Sequence, residues 1–418
     1  MSADGAARPV DRLGDALGTL LPPGGRRAGW HEARLWLAVS PSAWAGLRLT
    51  ARLPVVRLGR FGTLVNDPVL GRRILGDAAR FRTVGPGTHG ELMDLAIGPG
   101  ALLNMDGPAH EALRRSLGPL FSPAAAEALV AASATAPLEE AGRRLRDGEA
   151  VDLVRLSRVI TGRTTFALLG APAPPDGDEG YLASYRLGEA LVGMTVSAIR
   201  RGVRPGELER ARALVERLGE PGRVGWETGG GTIGRLRELG FDWEAARALV
   251  VVIVLAGTET VTSAAPRIVA LLADHGRWAA LRGGEPDAVE AAIEAGLRLT
   301  TPTEVIVRSC PDEVVLDGHR FPSGGRVFLS VYAMTRWPSL YRGDPEALRL
   351  GEAVPRELRH LWFGAGPHFC LGAPIAREQL RLLLTTLAQA PRIRVVRRVS
   401  ARGVLFPAYG SLVAAARP

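Results

Sequence analysis

Near the C-terminus, one cysteine stands in a glycine-rich stretch that constrains the fold more than any other part of the chain. Residues 363–372 read FGAGPHFCLG, with three glycines around Cys370. Glycine adopts backbone conformations that other residues avoid, and it lets another group approach the backbone closely. After the cysteine, apolar residues recur at helical spacing at positions 375, 380, 383 and 384. We therefore predict a tight loop with Cys370 at or just before a helix N-terminus.

A cysteine in that position is suited to bind a metal as a thiolate. Free N–H groups and the helix dipole stabilise a negative charge at a helix N-terminus. A thiolate is a ligand for soft metal centres, of which haem iron is one. The simpler alternative is a buried structural cysteine, the usual role of an unpaired cysteine. The FxxGxxxCxG spacing favours the metal ligand.

This stretch resembles the haem-binding loop of the cytochrome P450 family. The resemblance implies a mainly α fold with small β-sheets (α+β), with the haem between an oxygen-side helix and the cysteine loop. It implies haem b bound through Cys370, with O2 as co-substrate. Phe363, Gly364 and Gly372 would contact the haem from the loop.

A second motif stands in the middle of a long apolar run. Asp242 is predicted to cap a buried helix, and its apolar sequence is interrupted by AGTET at residues 256–260. Buried polar side chains must be hydrogen-bonded or have a chemical task. The string resembles the family's AGxET segment on the oxygen side of the haem. The resemblance implies that Thr260 hydrogen-bonds the bound O2 and that Glu259 passes protons from water, while Ala256 and Gly257 leave space. The alternative is a threonine bonded to its own helix.

Basic and histidine side chains match the positions that hold the haem propionates in the family. Asp106 and Pro108 predict the start of a helix. His110 and Arg114 are four residues apart on this helix and therefore share one face. The resemblance implies that this pair binds a propionate. It also assigns propionate contacts to Arg308 and His368.

One part of the family pattern is altered. The family places a Glu three residues before an Arg and completes the cluster with a downstream Arg. Here Arg298 is present, but Ala295 and Ala347 occupy the other two positions. Removing one member of a buried ion cluster strands a charge at a cost of about 3–5 kcal/mol, whereas removing matched partners costs less. We therefore predict that Glu294 and Arg298 pair directly across one helical turn, with Gly296 absorbed in a π-bulge.

The predicted substrate pocket is apolar. Residues 82–104 lack periodicity and are predicted as a long loop, which in a compact domain usually has a function. The resemblance implies that this loop roofs the substrate pocket. Core packing is an equally good explanation for the apolar residues in that loop. The full set of predicted pocket residues is Met93, Leu95, Leu102, Leu103, Ile253, Val305, Ile306 and Phe406.

Composition bounds the setting in which the protein works. The formal net charge is +9, and all of the basic side chains are arginines scattered without a clustered arm, which disfavours nucleic-acid binding. Two cysteines without CxxC spacing indicate a reducing compartment. The N-terminus lacks the features of a signal peptide, and the longest apolar run is too short for a membrane span. We predict a cytoplasmic protein with no membrane association.

The chain is predicted to consist of a flexible segment, residues 1–28, followed by a single catalytic domain, residues 29–418. Residues 55–65 alternate around a glycine turn and predict a hairpin. Asp67 is predicted to cap a short helix. Residues 219–240, which contain three consecutive glycines, are predicted as a flexible connection.

Together these motifs indicate a bacterial haem-thiolate monooxygenase that hydroxylates or epoxidises a hydrophobic small molecule, either free or carrier-bound, in secondary metabolism. The resemblance implies electrons from NAD(P)H through a ferredoxin reductase and a ferredoxin, which would dock on basic residues around Arg115 and Arg377. Two alternatives stay open. The same haem site could serve coupling, cyclisation, desaturation or peroxygenase chemistry, or the chain could be a non-catalytic haem or ligand-binding protein.

Overall fold

Helices form most of the fold, and small sheets lie at its edges. The computed structural model describes residues 26–86, 88–98, 101–201 and 204–416. The helices in these ranges are α1 Arg26–Val39, α2 Pro41–Thr50, α3 Pro68–Gly76, α4 His89–Ile97, α5 Pro108–Leu117, α6 Pro123–Arg146, α7 Leu153–Leu169, α8 Asp178–Arg201, α9 Glu207–Thr228, α10 Gly231–Glu238, α11 Trp243–Asp274, α12 Pro286–Thr300, α13 Val331–Met334 and α14 Ala373–Leu387.

The strands are short and pair mostly in antiparallel fashion. They are β1 Val55–Arg57, β2 Thr63–Val65, β3 Ala150–Asp152, β4 Val305–Cys310, β5 Val314–Leu316, β6 His319–Phe321, β7 Gly325–Ser330, β8 Ile393–Ser400 and β9 Tyr409–Ala416. The described strands form sheets of order β1-β2-β7-β4, β3-β9-β8 and β5-β6, and β2 pairs in parallel with β7. This mainly α architecture with small sheets is the predicted fold class.

Helix α11 is the centre of the hydrophobic core. It packs against α7, α9, α12 and α14. Its start is set by Asp242, whose carboxylate accepts a hydrogen bond from the Ala245 N–H at 2.8 Å, as predicted for a cap. By length and composition α11 could cross a membrane, but 72% of its most apolar window is buried inside the fold, as in the core helix of a globular protein.

Several local predictions agree with the structure. The hairpin is present, because Val55 pairs with Val65 and Arg57 pairs with Thr63. Asp67 caps α3 by accepting a hydrogen bond from the Leu70 N–H at 2.8 Å. The helix predicted to begin near Pro108 is α5.

Three boundaries differ from the predictions. The segment predicted as a loop over residues 82–104 contains α4, capped by the Thr88 hydroxyl. The connection predicted over residues 219–240 is helical over most of its length, in α9 and α10. Residues 26–28 belong to α1, where Ala28 is buried, so the boundary predicted at residue 28 lies too late. Residues 1–25 of the predicted flexible segment lie outside the described residues, and the single domain over residues 29–418 stays a prediction.

Candidate active site

The cysteine loop is closed by a backbone hydrogen bond and leads directly into α14. The Cys370 N–H donates to the Phe363 carbonyl at 2.9 Å, which joins the two ends of the loop. Gly364 has a φ of 79°, a left-handed conformation that favours glycine. Helix α14 begins at Ala373, three residues after the cysteine. The predicted position of Cys370 just before a helix N-terminus is therefore confirmed.

The surroundings of the Cys370 thiol contain opposing influences on its ionisation. Cys370 is exposed to solvent, while the surrounding protein atoms crowd its thiol. This enclosure raises the thiol pKa, whereas hydrogen bonds from the Gly372 and Ala373 N–H groups and the charge of Arg114 lower it. Donors directed at the sulfur are what a metal-bound thiolate requires.

The other predicted loop residues differ in how strongly the structure requires them. The Phe363 and Phe369 rings meet edge to face at 6.2 Å between centroids and form an apolar wall beside the loop. Gly372 has a φ of −81°, which any residue can adopt, and the space beside it is open. The protein itself would therefore tolerate a side chain at position 372. Glycine is required there only if a bound ligand fills the space beside it.

Two histidines lie face to face next to the cysteine loop. The His110 and His368 rings stack with centroids 4.2 Å apart. His110 is 1% exposed, and its Nε2 atom has no hydrogen-bond partner in the described chain. Burial, followed by the nearby His368 and Arg114, lowers the pKa of His110 to about 4. A neutral histidine with a free ring nitrogen is therefore available to a polar ligand group.

Asp106 is a site residue that the sequence analysis missed, because it was interpreted only as a helix-start signal. Its carboxylate accepts hydrogen bonds from the Thr83 N–H at 3.0 Å and the Thr83 hydroxyl at 2.8 Å, and its Oδ1 lies 2.9 Å from His368 Nε2. His368 is thus held by a carboxylate through one nitrogen. The useful signal was the position of Asp106, four residues before His110.

The two predicted propionate arginines have different surroundings. Arg308 is 5% exposed, and its guanidinium donates to the Val307 carbonyl at 3.0 Å. Burial lowers the pKa of Arg308 to about 10, with Asp106 opposing that shift. Arg114 donates to the Phe369 carbonyl at 2.7 Å, so part of its guanidinium stabilises the cysteine loop itself. Their propionate roles stay predictions.

On the oxygen-side helix, one stripe of α11 is open although the helix is otherwise buried. Ala256 and Gly257 are exposed, and Ile253 and Thr260 are partly exposed. Positions 253, 256, 257 and 260 follow helical spacing and share one face. A methyl group added at Gly257 would meet only the Thr165 hydroxyl, at 3.5 Å. This face can therefore lie against a flat ligand.

The two polar residues at this stripe, Glu259 and Thr260, differ in burial. Glu259 is 7% exposed, and its Oε1 atom has no hydrogen-bond partner in the described chain. Burial raises the pKa of Glu259 to about 7. The Thr260 hydroxyl donates to the Ala256 carbonyl at 3.0 Å, which is the helix-bonded alternative named above. That bond leaves the hydroxyl oxygen able to accept a hydrogen bond from another donor.

The predicted pocket residues do not all face one space. Leu95 and Leu103 are exposed, Leu102 is buried in the main core, and Ile253 packs against that core while partly buried. Val305 packs with the separate cluster around Trp36.

Two of the pocket predictions lie beside the motifs. Ile306 reaches to 4.0 Å from the place of a methyl group on Gly364, and Phe406 lines a cleft beside Glu259. The Met93 side chain lies outside the described part of the structure. The pocket assignments stay predictions.

The predicted pairing of Glu294 with Arg298 is wrong. Arg298 is 3% exposed and donates to the Pro345 carbonyl at 2.6 Å and the Ala347 carbonyl at 2.5 Å. Glu294 instead forms an ion pair with Arg377. Helix α12 is regular and contains no π-bulge at Gly296.

The reason is geometric. The segment at residues 345–347 presents backbone carbonyls to Arg298, while Tyr341 places its ring 5.0 Å from the guanidinium carbon. Carbonyl oxygens and a π face thus replace the missing carboxylate. A buried cation satisfied in this way does not need a partner on its own helix, and Glu294 remains available to Arg377.

Replacing Arg298 by methionine is expected to lower the free energy of unfolding by about 3 kcal/mol, because buried carbonyls at residues 345 and 347 lose their donor. Glu294→Gln removes only a partly exposed ion pair and is expected to cost less than about 1 kcal/mol. Urea unfolding of both variants measures the difference. Equal losses in the two variants would contradict this account, because they would indicate that Glu294 stabilises the fold as much as Arg298 does.

The loop, the histidines and the arginines together fit a haem. Among the described residues, no group of three His, Cys, Asp or Glu side chains could hold a metal ion. In a haem site one cysteine thiolate is enough, because the porphyrin supplies the other ligands in its plane. The free Nε2 of His110 and the buried guanidinium of Arg308 are suitable donors for the carboxylates of that cofactor.

The sequence is similar to known proteins over different lengths. Residues 288–402 match the family model described as "Cytochrome P450". "Cytochrome P450 FAS1" of Rhodococcoides fascians is 30% identical over 332 residues, which cover 74% of this chain and 77% of that protein. "C-19 steroid 1alpha-hydroxylase" of Sorangium cellulosum (strain So ce56) is 29% identical over 389 residues, which cover 87% and 92%. Two shorter matches cover 34% and 36% of the relatives concerned.

The fold is similar to solved structures as well. "P450BioI in complex with hexadec-9Z-enoic acid ligated Acyl Carrier Protein" superposes with a TM-score of 0.74 over 90% of this chain and 98% of that chain. Its sequence identity is 20%, so this likeness concerns the fold alone. It agrees with the mainly α architecture described above.

Proposed function

Because the chain belongs to the cytochrome P450 family, whose members are haem-dependent monooxygenases, we propose that it inserts one atom of O2 into a hydrophobic small molecule by hydroxylation or epoxidation. The observation that carries this proposal is the open stripe on α11, where Ala256, Gly257 and Thr260 lie beside the buried carboxyl group of Glu259. A carboxyl group beside an open, hydroxyl-bearing face is suited to supply protons there.

Haem b would be held mainly by residues of the cysteine loop and α5. Cys370 would bind the iron, and the Gly372 and Ala373 N–H groups would stabilise its thiolate. His110 and Arg308 would bind the propionates. When bound, the haem supplies O2 activation, which a thiolate ligand favours by pushing electron density towards the iron.

Glu259 would hold and deliver protons at its carboxyl oxygens. A pKa of about 7 means that its acid and carboxylate forms are both populated at neutral pH. Thr260 would accept a hydrogen bond at its hydroxyl oxygen and so hold a donor group in place on the open face. The Thr260 donation to Ala256 fixes the side-chain rotamer and aims the oxygen.

Thr260→Ala is expected to lower the amount of product formed per O2 consumed by about tenfold, because the open face then lacks a positioned hydroxyl. The measurement is product and O2 consumption in the same reaction. Thr258→Ala is a matched control, because Thr258 donates to the Val254 carbonyl in the same manner but is buried, away from the open stripe.

Unchanged product yield in Thr260→Ala would contradict the proposed role of Thr260. Equal losses in the two threonine variants would instead indicate a general effect on α11.

The relatives and the surface support a substrate class and an electron source. The Sorangium relative is named as a steroid hydroxylase, which supports an apolar substrate. The P450BioI structure holds an acyl carrier protein, which supports testing carrier-bound as well as free substrates in secondary metabolism.

Electrons would come from NAD(P)H through a ferredoxin reductase and a ferredoxin in the cytoplasm. Arg115 is exposed and could contact an acidic partner. Arg377 is less suited to docking than predicted, because Glu290 and Glu294 already neutralise it.

The surroundings of Arg298 bear on whether the altered support cluster belongs to a catalytic or a non-catalytic haem site. Its guanidinium keeps three carbonyl partners, with Thr335 at 3.5 Å in addition to Pro345 and Ala347. The altered support cluster is therefore satisfied rather than broken. This favours a catalytic site over the non-catalytic haem-binding alternative.

A further inference from the structure

A small cleft lies on the side of α11 that faces α7 and α8. It has room for about one water molecule. The residues around it come from α7, α8, α11, β9 and the turn between β8 and β9. The polar side chains among them include Arg158, Tyr185, Glu189, Glu259, Thr262 and Tyr409.

Glu259 is the buried acid at the inner side of this cleft. Its Oε1 atom has no hydrogen-bond partner in the described chain, which leaves a position for water. The charged and titratable groups that face it from the packed elements are Arg158 on α7, Tyr185 and Glu189 on α8, and Tyr409 on β9. These groups determine how easily Glu259 gains and loses a proton.

The outer side of the cleft is built from an ion pair and a tyrosine. Arg158 donates to Glu189 at 2.7 Å, and their side chains are 21% and 28% exposed, so the pair is accessible to solvent. The Arg158 guanidinium also stacks 4.3 Å from the Tyr185 ring centroid. Tyr185 then continues inward, with its hydroxyl 3.1 Å from the Thr262 hydroxyl on α11.

The same three residues act on Glu259 with opposite signs. Burial is the largest cause of its raised pKa, and the negative charge of Glu189 adds to it. Arg158 and the nearby Tyr185 hydroxyl lower the pKa of Glu259. The result, a pKa of about 7, therefore depends on groups that contact solvent as well as on burial.

We propose that Arg158, Tyr185 and Glu189 form the entrance through which protons pass from solvent to Glu259, and that their balance of charge prepares Glu259 for transfer. This proposal rests on the proposed function. A proton moves from solvent to water in the cleft and then to the Glu259 carboxylate, which becomes a carboxylic acid. That acid releases the proton towards the open stripe and returns to the carboxylate. Arg158, Tyr185 and Glu189 are positioning residues in this sequence.

The test measures the protonation of Glu259 directly in the resting holoenzyme. Infrared spectra across a pH range follow the carbonyl band of the protonated carboxyl group, which is assigned by its loss in Glu259→Gln. Removing the like charge in Glu189→Gln is expected to move the midpoint to lower pH by about half a unit or more. Tyr185→Phe and Arg158→Gln are expected to move it to higher pH, because each removes a group that stabilises the carboxylate.

The chain contains a matched control on the same two helices. Arg155 and Glu179 also join α7 to α8, at 2.9 Å, but both side chains are more than half exposed and neither lines the cleft. Glu179→Gln makes the same change of charge and is expected to leave the midpoint unchanged. A shift equal to that of Glu189→Gln would mean that only the overall charge matters, which overturns the proposal.

A second readout concerns transfer itself. Product formed per O2 consumed is measured across pH and in D2O, and its midpoint is expected to follow the infrared midpoint in each variant. In Tyr185→Phe the solvent isotope effect is expected to increase, because the inner donor is lost. If the midpoints do not shift in the Arg158, Tyr185 and Glu189 variants but Glu259→Gln gives poor product yield, the proposed proton entrance is wrong while the proton role of Glu259 stands. Full product yield in Glu259→Gln would instead overturn the proposed proton role of Glu259.

Discussion

Replacing Cys370 by alanine is expected to leave the protein folded but to abolish thiolate ligation of the haem. O2-dependent turnover is expected to fall by at least about a thousandfold, because the electron donation that favours O–O cleavage is lost. The fold is expected to persist because the Cys370 side chain is exposed and not part of the core. The hydrogen bond that closes the loop joins backbone groups of Phe363 and Cys370, which the substitution retains. Absorption spectra, turnover and thermal unfolding of the same preparation measure the three effects.

The second cysteine provides the control. Cys310 is fully buried in β4, and its thiol donates to the Asp312 carbonyl at 2.9 Å. Cys310→Ala is expected to reduce stability by about 1 kcal/mol and to leave the haem spectrum unchanged. Loss of the thiolate spectrum in Cys310→Ala, with its retention in Cys370→Ala, would show that Cys310 binds the iron instead of Cys370.

The largest expected effect on stability comes from a buried arginine on α11. Arg267 is 1% exposed and donates to Glu32 of α1 at 2.6 Å and to the Pro407 carbonyl at 3.1 Å. Glu304 lies 4.0 Å from Arg267, and burial raises the pKa of this second carboxyl well above its usual range. The ion pair with Glu32 therefore fastens α1 to the core helix.

Glu32→Gln is expected to lower the free energy of unfolding by about 3–5 kcal/mol, because the buried Arg267 loses its hydrogen-bonded carboxylate and keeps only the more distant Glu304, at 4.0 Å. Urea unfolding measures the loss. Arg143→Gln is the control, because its ion pair with Glu140 is exposed on both sides and is expected to contribute less than about 1 kcal/mol. A loss in Glu32→Gln as small as that of the control would show that α1 is held by apolar contacts instead.

The predictions that agree with the structure rest on short-range chemistry. Asp67 and Asp242 cap helices because an aspartate side chain reaches the N–H three residues later, whatever the rest of the fold does. The place of Cys370 before α14 follows from the apolar period after it. The mainly α class with small sheets follows from many such local signals together.

The predictions that failed depended on contacts between distant segments. Helix α9 continues past Pro221 where a break was predicted, and at Gly225 a side chain would come within 2.3 Å of the Leu169 carbonyl. Close packing on α7 thus decides the helix, against local propensity. Glu294 likewise left its predicted partner because Arg377, on α14, approaches it.

Other features of the site had no local signal at all. Arg267 and Glu32 are 235 residues apart, and Tyr185 and Thr262 are 77 apart. Neither separation produces a period or a motif. The buried ion pair and the cleft beside Glu259 therefore became visible only when α1, α7, α8 and α11 were seen together.

The most direct measurement is the absorption spectrum of the haem-loaded protein after reduction and addition of carbon monoxide. A thiolate from Cys370 predicts the long-wavelength absorption band of a thiolate-ligated haem, and this band is expected to be absent in Cys370→Ala. A band at the shorter wavelength of a histidine-ligated haem, or a protein that binds no haem when hemin is supplied, would contradict ligation of the iron by Cys370.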